Sequence, residues 1–256
     1  VLDLDVAPDR RLLDHWLDVL GALSWGSPAP SVRVLHGGRT PPPSARPSGP
    51  LDLQIRADAD GYRGPAGVIR DAMLDLEPDT DILVAEAGRM VPGGLEDLVA
   101  HHRRERADVT IARDPGGGPA GVLVVGHHTL DLVAPRGFVD LKEQWLRRVV
   151  SVGLRALVHD LDTSSHQIRT RLDLLRVARL ASENTARPNE HPNEPESWRA
   201  GSRLRRRLSP GWSISSSARV SPSSVVARSV VMEGASIGDD AVVSSSVVLP
   251  GAVVAP

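Results

Sequence analysis

The C-terminal part of the sequence repeats itself every 17 residues, and few folds can satisfy such a period. Sliding the chain by 17 positions lays VVARSVVMEGASI (225–237) on VVSSSVVLPGAVV (242–254), so that valine, serine, glycine and alanine coincide. β-Branched residues recur every five or six positions, at 226, 231, 237, 243, 248 and 254, with small neighbours and few charges. An antiparallel sheet would instead alternate with period two and contain hairpin turns such as Asn-Gly. Neither feature dominates here, so the pattern disfavours an antiparallel sheet.

This repeat resembles the hexapeptide repeat of left-handed parallel β-helices, in which three flat faces form one triangular coil. We expect about three coils over residues 208–256. The sequence ends at Ala255-Pro256, inside a coil, and an uncovered coil exposes backbone hydrogen-bonding groups and apolar side chains. The resemblance implies that further chain or another subunit covers this edge. It predicts a homo-oligomer or hetero-oligomer formed through the β-helix.

Composition limits the function classes that fit the rest of the chain. The 256 residues carry 30 basic and 32 acidic side chains, so no net field directs the protein to nucleic acid or to an anionic membrane. Cysteine is absent, which excludes disulfides and cysteine-ligated zinc. No apolar run approaches the ~20 residues that span a bilayer, and the charged start VLDLD is unlike a secretory signal. We expect a soluble, cytoplasmic protein without nucleic-acid or membrane partners.

Upstream of the repeat, strand-like and helix-like segments alternate. This order predicts an α/β fold with a mainly parallel sheet that helices cover on both faces. Asp9 is the expected cap of the first helix, and Thr163 or Ser164 of the last. Proline and glycine predict a mobile loop between the first two strands. The predicted strands are 31–35, 51–55, 81–87, 108–113, 120–126 and 155–161, and the predicted helices are 8–20, 64–76, 93–106, 127–133, 140–151 and 163–181.

A polar segment separates these two regions. Residues 182–202 are rich in Asn, Glu, Pro and Ser and hold almost nothing that a core could bury, which is typical of a linker. The expected organisation is an α/β domain over residues 1–182, a linker over 183–207 and a β-helix over 208–256.

Several motifs of the α/β part resemble, in order and spacing, those of the sugar-nucleotide pyrophosphorylases. GPAG (64–67) is similar to the Gly-Thr-Ala-Gly turn over the nucleotide, and DILVAEAGRMV (81–91) to the strand that delivers a metal-binding aspartate. AGVLVVGHHTLDLV (120–133) resembles the strand and helix after a sugar-contacting Asn-Ala-Gly turn, and VHDLDTSSHQIRTRLDLL (158–175) the last strand and its helix. These enzymes join a nucleoside triphosphate to a sugar 1-phosphate and release pyrophosphate. The resemblance implies a Rossmann-like nucleotidyltransferase domain that binds a nucleotide or nucleotide sugar.

The resemblance also assigns candidate site residues. It implies ligand contacts at a glycine turn and at a strand start, and an Mg²⁺ ligand where the last strand ends, since Mg²⁺ prefers carboxylate oxygens. The residues themselves leave plainer alternatives open: a helix start with proline in its first turn, and an aspartate that ends a strand or caps a helix. The candidates are Gly64, Pro65, Ala66, Gly67, Ala120 and Gly121 for nucleotide or sugar, and Asp160 for Mg²⁺.

Other parts of the family pattern are missing. The Gly-rich loop with its arginine has no counterpart, Ala87-Gly88 stand where the first metal aspartate is expected beside Glu86, and the segment 113–119 contains no lysine. Pro119 replaces the asparagine of the sugar-contacting turn. Because attack at phosphorus depends on positioning and charge neutralisation, we expect a pyrophosphorylase-like protein whose catalysis is impaired. A non-catalytic regulatory or scaffold subunit is the alternative, and an acyltransferase is a third hypothesis, disfavoured because no histidine follows His191.

Overall fold

The computed structural model describes residues 2–23, 30–37, 41–45, 51–58, 62–91, 93–185 and 213–256. Helices and strands are mixed along these residues, and parallel pairing occurs in the sheets, which confirms the α/β class. Within the same ranges, no helix combines the length and apolar character needed to cross a membrane.

Contacts divide the chain into two compact units. One unit combines Val1–His15 with His166–Pro256, and the other is Trp16–Ser165. The sequence suggested a sequential division, whereas here the first residues and the last helix belong with the C-terminal strands. The predicted linker, 183–207, falls outside the described residues after its first three positions, so the domain boundaries drawn there stay predictions.

The elements as far as residue 126 follow the predicted order, with ends displaced by a few residues and three short strands added, two before the first helix and one at Arg89–Met90. Part of the predicted loop after the first long strand lies outside the described residues. In chain order the elements are β1 (Asp5–Ala7), β2 (Arg10–Arg11), α1 (Leu12–Gly21), β3 (Ser31–Gly37), β4 (Asp52–Asp58), α2 (Gly64–Ala72), β5 (Asp81–Ala85), β6 (Arg89–Met90), α3 (Leu95–Arg104), β7 (Val109–Arg113) and β8 (Pro119–Gly126).

After β8 the chain forms two helical segments that are not α-helices. A 3₁₀-helix covers His127–Leu132, and a π-helix covers Leu141–Leu146, in which the amide of Trp145 donates to the carbonyl of Asp140, five residues earlier. Asp140 caps the π-helix, because its carboxylate accepts the amides of Lys142 and Glu143. Next come α4 (Arg147–Ser151), β9 (Ala156–Asp160), β10 (His166–Gln167) and α5 (Arg171–Thr185).

The predicted cap of the first helix is wrong. Asp9 has a φ of +56° and lies before α1, and its carboxylate accepts hydrogen bonds from Ser215 Oγ and the Ser216 amide at 2.7 and 2.9 Å. The start of α1 is instead marked by Asp14, which accepts the Arg11 amide at 3.1 Å. A long-range contact within the first unit therefore uses the side chain that local pattern assigned to a cap.

The predicted start of the last helix is also wrong. The chain stays non-helical from Thr163 to Thr170, and α5 begins at Arg171. Asp173 accepts the Thr170 amide at 2.8 Å, and Thr170 Oγ1 accepts the Asp173 amide at 3.2 Å. This reciprocal pair satisfies amides that a helix start would otherwise leave unpaired.

A four-stranded sheet organises the second unit. Its order is β5-β8-β7-β9, with β8 antiparallel to both neighbours and β9 parallel to β7, so this sheet is mixed rather than mainly parallel. The hairpin between β7 and β8 explains the difference, since a short connection can join only antiparallel strands. Consequently β5, β7 and β9 run in one direction, and their carboxyl ends meet at one edge. A separate two-stranded parallel sheet pairs β3 with β4.

The core of the second unit packs against one face of this sheet. Trp145 is 2 % exposed, and its indole donates to the Thr129 carbonyl at 3.0 Å, which satisfies the only polar atom of the ring. Trp16 is also buried and donates to the Arg89 carbonyl at 2.8 Å, so the prediction that both tryptophans belong to the core is confirmed. The buried side chains around Trp145 are Ala66, Ile82, Val109, Val125, Leu130, Val133 and Val149.

The 17-residue repeat is present as parallel pairing. Each paired position lies 17 residues from its partner, as in Val225↔Val242 and Ile237↔Val254. The resulting sheets have the orders β11-β14-β17, β12-β15-β18 and β13-β16. Their buried side chains form one cluster, Val226, Val231, Ala235, Ile237, Ala241, Val243 and Val248. The strands are β11 (Ser213–Ile214), β12 (Arg219–Val220), β13 (Val225–Ala227), β14 (Val230–Val231), β15 (Ser236–Ile237), β16 (Val242–Ser244), β17 (Val247–Val248) and β18 (Val253–Val254).

Serine side chains join successive repeats where the strands turn. Ser217 Oγ accepts the Gly234 amide at 3.0 Å, and Ser223 Oγ accepts the Asp240 amide at 3.0 Å. Ser229 Oγ accepts the Ser246 amide at 3.1 Å. In every case the donor lies 17 residues after the serine. We call these three contacts the serine ladder; they satisfy amides that the strand pairing leaves out.

Candidate functional site

The predicted nucleotide turn, Gly64-Pro-Ala-Gly67, begins α2 and is covered by a distant segment. Gly64 has a φ of +69°, and a Cβ there would lie 2.6 Å from the Val139 carbonyl oxygen. The Ala66 amide donates to that same carbonyl at 3.2 Å, and Pro65 has no amide hydrogen to offer. The glycine therefore permits close approach of residue 139, and one of the amides expected to face a phosphate is already used.

Arg63 extends this covered turn. Its buried guanidinium forms a bidentate pair with Asp71 and donates to the carbonyls of Gly137 and Ala134 at 2.9 and 3.0 Å. These hydrogen bonds hold the pKa of the Asp71 carboxyl below its usual value of 3.8. A Cβ at Gly67 would lie 2.9 Å from the Arg63 Cβ. The turn and Arg63 together fasten residues 134–139 to α2.

Ala120 and Gly121 begin β8 at the edge where the other strands end. Ala120 is fully buried, and Gly121 has a φ of +74° and accepts the Glu86 amide at 2.8 Å. A Cβ on Gly121 would lie 2.5 Å from Arg89 Nε, so the arginine side chain lies directly over the glycine. Space that the resemblance assigns to a sugar is occupied by a protein side chain.

Arg89 belongs to a chain of polar contacts at this edge. It donates to Glu86 at 3.2 Å and to Ser165 Oγ at 3.1 Å, and the Ser165 hydroxyl in turn donates to Asp114 at 2.9 Å. The Ser165 amide also donates to Asp114 at 2.8 Å. Ser165 is therefore held by a strand-end carboxylate and does not cap a helix.

Asp160 ends β9 and pairs with Arg113 at the end of β7. The two residues are register partners, and the guanidinium bonds both carboxylate oxygens, with Nη2 at 2.8 Å from Oδ2. The hydrogen bonds from Arg113 lower the pKa of Asp160, and the same pair raises that of Arg113. A carboxylate in a bidentate guanidinium pair is a poor Mg²⁺ ligand, because both oxygens are already bonded and the neighbouring charge is positive.

The described residues do not otherwise fit a magnesium centre. No group of three histidine, aspartate or glutamate side chains among them could hold a metal ion. Glu86, the nearest substitute for the missing aspartate, pairs with Arg89. Residues 87 and 88 follow β5 as alanine and glycine, so they supply no ligand.

The structure brings together some predicted site residues and separates others. Ala120, Gly121 and Asp160 lie at the shared edge of the four-stranded sheet, where carboxyl ends of strands commonly form ligand sites in α/β proteins. Gly64 and Ala66 lie against residues 138 and 139 instead, and Gly67 lies against Arg63. Sequence reasoning missed the arginines at this edge, Arg89 and Arg113, which neutralise its carboxylates.

A cavity that the sequence analysis did not anticipate lies beside residues 134–139. It has a volume of about 480 Å³ and is largely open to solvent. Its lining includes Arg136, Phe138, Gln144, Trp145, Arg147 and Arg148. The only sequence signal for it is the arginine pair after Trp145, which by itself is typical of a solvated helix face.

Comparison with models of protein families and with curated proteins found no match for this chain.

Proposed function

We propose that the chain is a sugar-nucleotide pyrophosphorylase-like protein that does not transfer nucleotides and acts as a non-catalytic regulatory or scaffold subunit. The observation that carries this proposal is the Arg113–Asp160 pair at the carboxyl edge of the sheet. Nucleotidyl transfer needs carboxylates that hold a metal and cations that neutralise phosphate. Here a cation and a carboxylate neutralise each other, as do Arg89 and Glu86.

Binding of a nucleotide or nucleotide sugar is a weaker expectation of the same proposal. The start of α2 offers a helix dipole to an anion, but the Ala66 amide is bonded to Val139 and Pro65 has none. We expect binding at Gly64–Gly67 near millimolar, about −4 kcal/mol, with little dependence on Mg²⁺. A cytoplasmic location is part of the proposal and is supported by the absence of cysteine.

An assay of pyrophosphate release tests the loss of catalysis. The full chain is incubated with each common nucleoside triphosphate, a set of sugar 1-phosphates and Mg²⁺, and we expect no release above the protein-free rate. Steady turnover that disappears in Asp160→Asn would overturn the proposal. Turnover that persists in Asp160→Asn would overturn it equally, unless a second preparation without the expressed chain shows the same rate.

We also propose that the C-terminal strands form a left-handed parallel β-helix through which subunits associate. The support is the repeated pairing at 17 residues together with exposed valines that stack on one another: Val225 is 45 % exposed and its partner Val242 is 73 % exposed. Val253 is likewise exposed. Exposed valines that are stacked in adjacent strands offer an apolar strip to a partner surface.

Light scattering on the full chain tests this association. We expect an oligomer at tens of micromolar, reduced towards monomer in Val242→Lys because a buried unpaired charge is costly. Val242→Ile, which keeps the side chain apolar, should leave the oligomer unchanged. A monomeric parent protein, or equal association in both variants, would count against the valine surface.

A further inference from the structure

The cavity beside residues 134–139 has a positive lining and no acidic one. Arg136, Arg147 and Arg148 line it together with Gln144 and Ser151, and the remaining lining side chains are apolar or aromatic. Among the described residues, no carboxylate lies within 4 Å of the Arg136 or Arg148 guanidinium, whereas Arg147 pairs with Glu143 at 2.6 Å. The charge of Arg147 is therefore paired, and the uncompensated positive charge of the cavity comes from Arg136 and Arg148.

The walls of the cavity are held in place by buried contacts. Arg63 bonds the carbonyls on both sides of Arg136, at Ala134 and Gly137, and the Val139 amide donates to the Arg63 carbonyl at 2.8 Å. On the opposite side, the Trp145 indole is fixed by its bond to Thr129. A site whose backbone is already ordered loses less entropy when a ligand binds.

The π-helix supplies a polar donor to the same cavity. The Gln144 side-chain oxygen accepts the Asp140 amide at 2.6 Å, which turns its NH₂ group away from that bond. No acceptor for this NH₂ group is present among the described residues, so it is a donor without a protein partner. π-Helical turns occur frequently at functional sites, because they displace side chains from regular helical positions.

An exposed aromatic ring completes the lining. Phe138 is 54 % exposed although it follows directly on the segment that Arg63 holds. Guanidinium groups bind phosphate through paired hydrogen bonds, and an aromatic face offers stacking to a planar ring. The volume of about 480 Å³ falls within the ~300–1,000 Å³ typical of small-molecule sites.

We infer that this cavity binds a small molecule in which a phosphate or diphosphate adjoins a planar ring, such as a nucleoside diphosphate. Arg136, Arg148 and the Gln144 NH₂ group hold the phosphate, and Phe138 contacts the ring. The inference does not depend on the proposed function, because none of these residues belongs to the carboxyl edge of the sheet. The result of the pyrophosphate-release assay leaves it unaffected.

Titration calorimetry of the full chain with ADP, pyrophosphate and adenosine tests the site. We expect saturable binding of ADP, weaker binding of pyrophosphate and the weakest binding of adenosine, with ADP affinity falling when salt rises to about 0.15 M. Arg136→Gln and Arg148→Gln should each weaken ADP and pyrophosphate about five- to tenfold, since each removes charge-assisted hydrogen bonds. Phe138→Ala should weaken ADP alone.

Matched controls keep the test decisive. Arg104→Gln removes an exposed arginine of α3 outside the cavity and should leave all three affinities unchanged. No carboxylate of the described part of the chain pairs with Arg136 or Arg148, so their variants should melt at the parent temperature. Lack of saturable ADP and pyrophosphate binding, or an ADP affinity that the double variant Arg136→Gln/Arg148→Gln leaves unchanged, would overturn the inference; residual ADP binding near millimolar in the double variant is what the turn at Gly64–Gly67 alone would give. An unchanged ADP affinity in Phe138→Ala would overturn the ring contact.

Discussion

The second unit and the C-terminal strands both contain glycines in the left-handed region, but they surround them differently. Gly64 and Gly251 have φ values of +69° and +67°. A Cβ at Gly64 would meet the backbone of Val139, whereas a Cβ at Gly251 would meet no atom within 4 Å. Gly64 is therefore required both for its backbone conformation and because a side chain would clash with Val139. Gly251 is required for its backbone conformation alone.

The two regions also differ in the sequence distance that their contacts bridge. In the second unit, Gly64 contacts Val139 and Gly121 contacts Arg89. The sequence separations of these two pairs do not follow a common period. In the C-terminal strands, pairing and serine contacts alike join residues 17 apart. A substitution in the second unit therefore affects a segment that cannot be identified from local sequence. A substitution in the C-terminal strands affects the equivalent position in the next repeat.

The largest expected effect separates the two kinds of glycine. Gly64→Ala should lower the free energy of unfolding by about 3 kcal/mol or more, because left-handed strain adds to a clash with the Val139 backbone. Gly251→Ala should cost only about 1 kcal/mol, from strain alone. Gly153→Ala, with a φ of +82° and open space, is the control within the same unit as Gly64. Urea unfolding measures all three, and equal losses at Gly64 and Gly153 would remove the proposed difference.

A smaller effect is expected in the serine ladder. Ser229→Ala should cost about 1–3 kcal/mol, because the half-buried Ser246 amide loses the acceptor that the buried Ser229 hydroxyl supplies. Ser246→Ala removes the equivalent hydroxyl, whose one bond within the described residues is to the Ser244 carbonyl, and should cost less than ~1 kcal/mol. Chemical denaturation of the two variants side by side makes the comparison. A larger loss of stability in Ser246→Ala than in Ser229→Ala would show that the hydrogen bond to the next repeat is not the main contribution of the Ser229 hydroxyl.

Relief of backbone strain should produce a still smaller change, of opposite sign. Arg228 and Ser245 occupy equivalent places in successive repeats and have φ values of 48° and 49°. Ser245→Gly removes the cost of a left-handed serine and adds unfolded-state entropy, so we expect a gain below ~1 kcal/mol. Thermal unfolding of Ser245→Gly beside Ser244→Gly, where the strand conformation gives glycine no advantage, measures it. A loss at Ser245 would mean that its side chain contributes more than the strain costs.

The smallest expected effect is a pH dependence of stability that His159 gives to the second unit. Burial, followed by the charge of His101, lowers the pKa of His159 below its usual 6.5, and the two rings lie 5.0 Å apart. The unfolded chain then binds the proton more readily, so stability from neutral His159 is present above pH 6.5 and declines as pH falls below it. Residues 213–256 contain no histidine and lack this dependence. His159→Gln should reduce the change in the free energy of unfolding between pH 7 and pH 5, measured by unfolding at each pH. An unchanged pH dependence in this variant would mean that another group causes it.

The repeat could be predicted because its information is periodic. The pairing Val225↔Val242 follows from laying the sequence on itself, and the structure confirms that register. Serine contacts across repeats were not foreseen, although the same shift of 17 connects Ser229 with Ser246. Periodicity specifies which residues are equivalent, but which hydroxyl accepts which amide depends on turn geometry.

For the second unit, the sequence predicted the helices and strands but not the contacts among the site residues. Strand positions followed from apolar patterns, but the pairing of Arg113 with Asp160 depends on β9 lying beside β7, which no local pattern reveals. The sequence predicts that the last helix begins at residue 163, which is too early. Thr163 and Thr170 are equally plausible caps by composition, and only the hydrogen bonds between Thr170 and Asp173 identify the one that caps the helix. The cavity was missed because Arg136 and Arg148 converge through tertiary structure.

The serine ladder has a consequence for how the length of this region can change. An insertion or deletion of 17 residues leaves each serine opposite the amide that it now accepts, so it adds or removes one whole layer. A change of another length within a strand breaks the register of 17 between the repeats that it separates and moves the buried cluster out of line. Whole layers are therefore the unit by which the paired strands can lengthen or shorten.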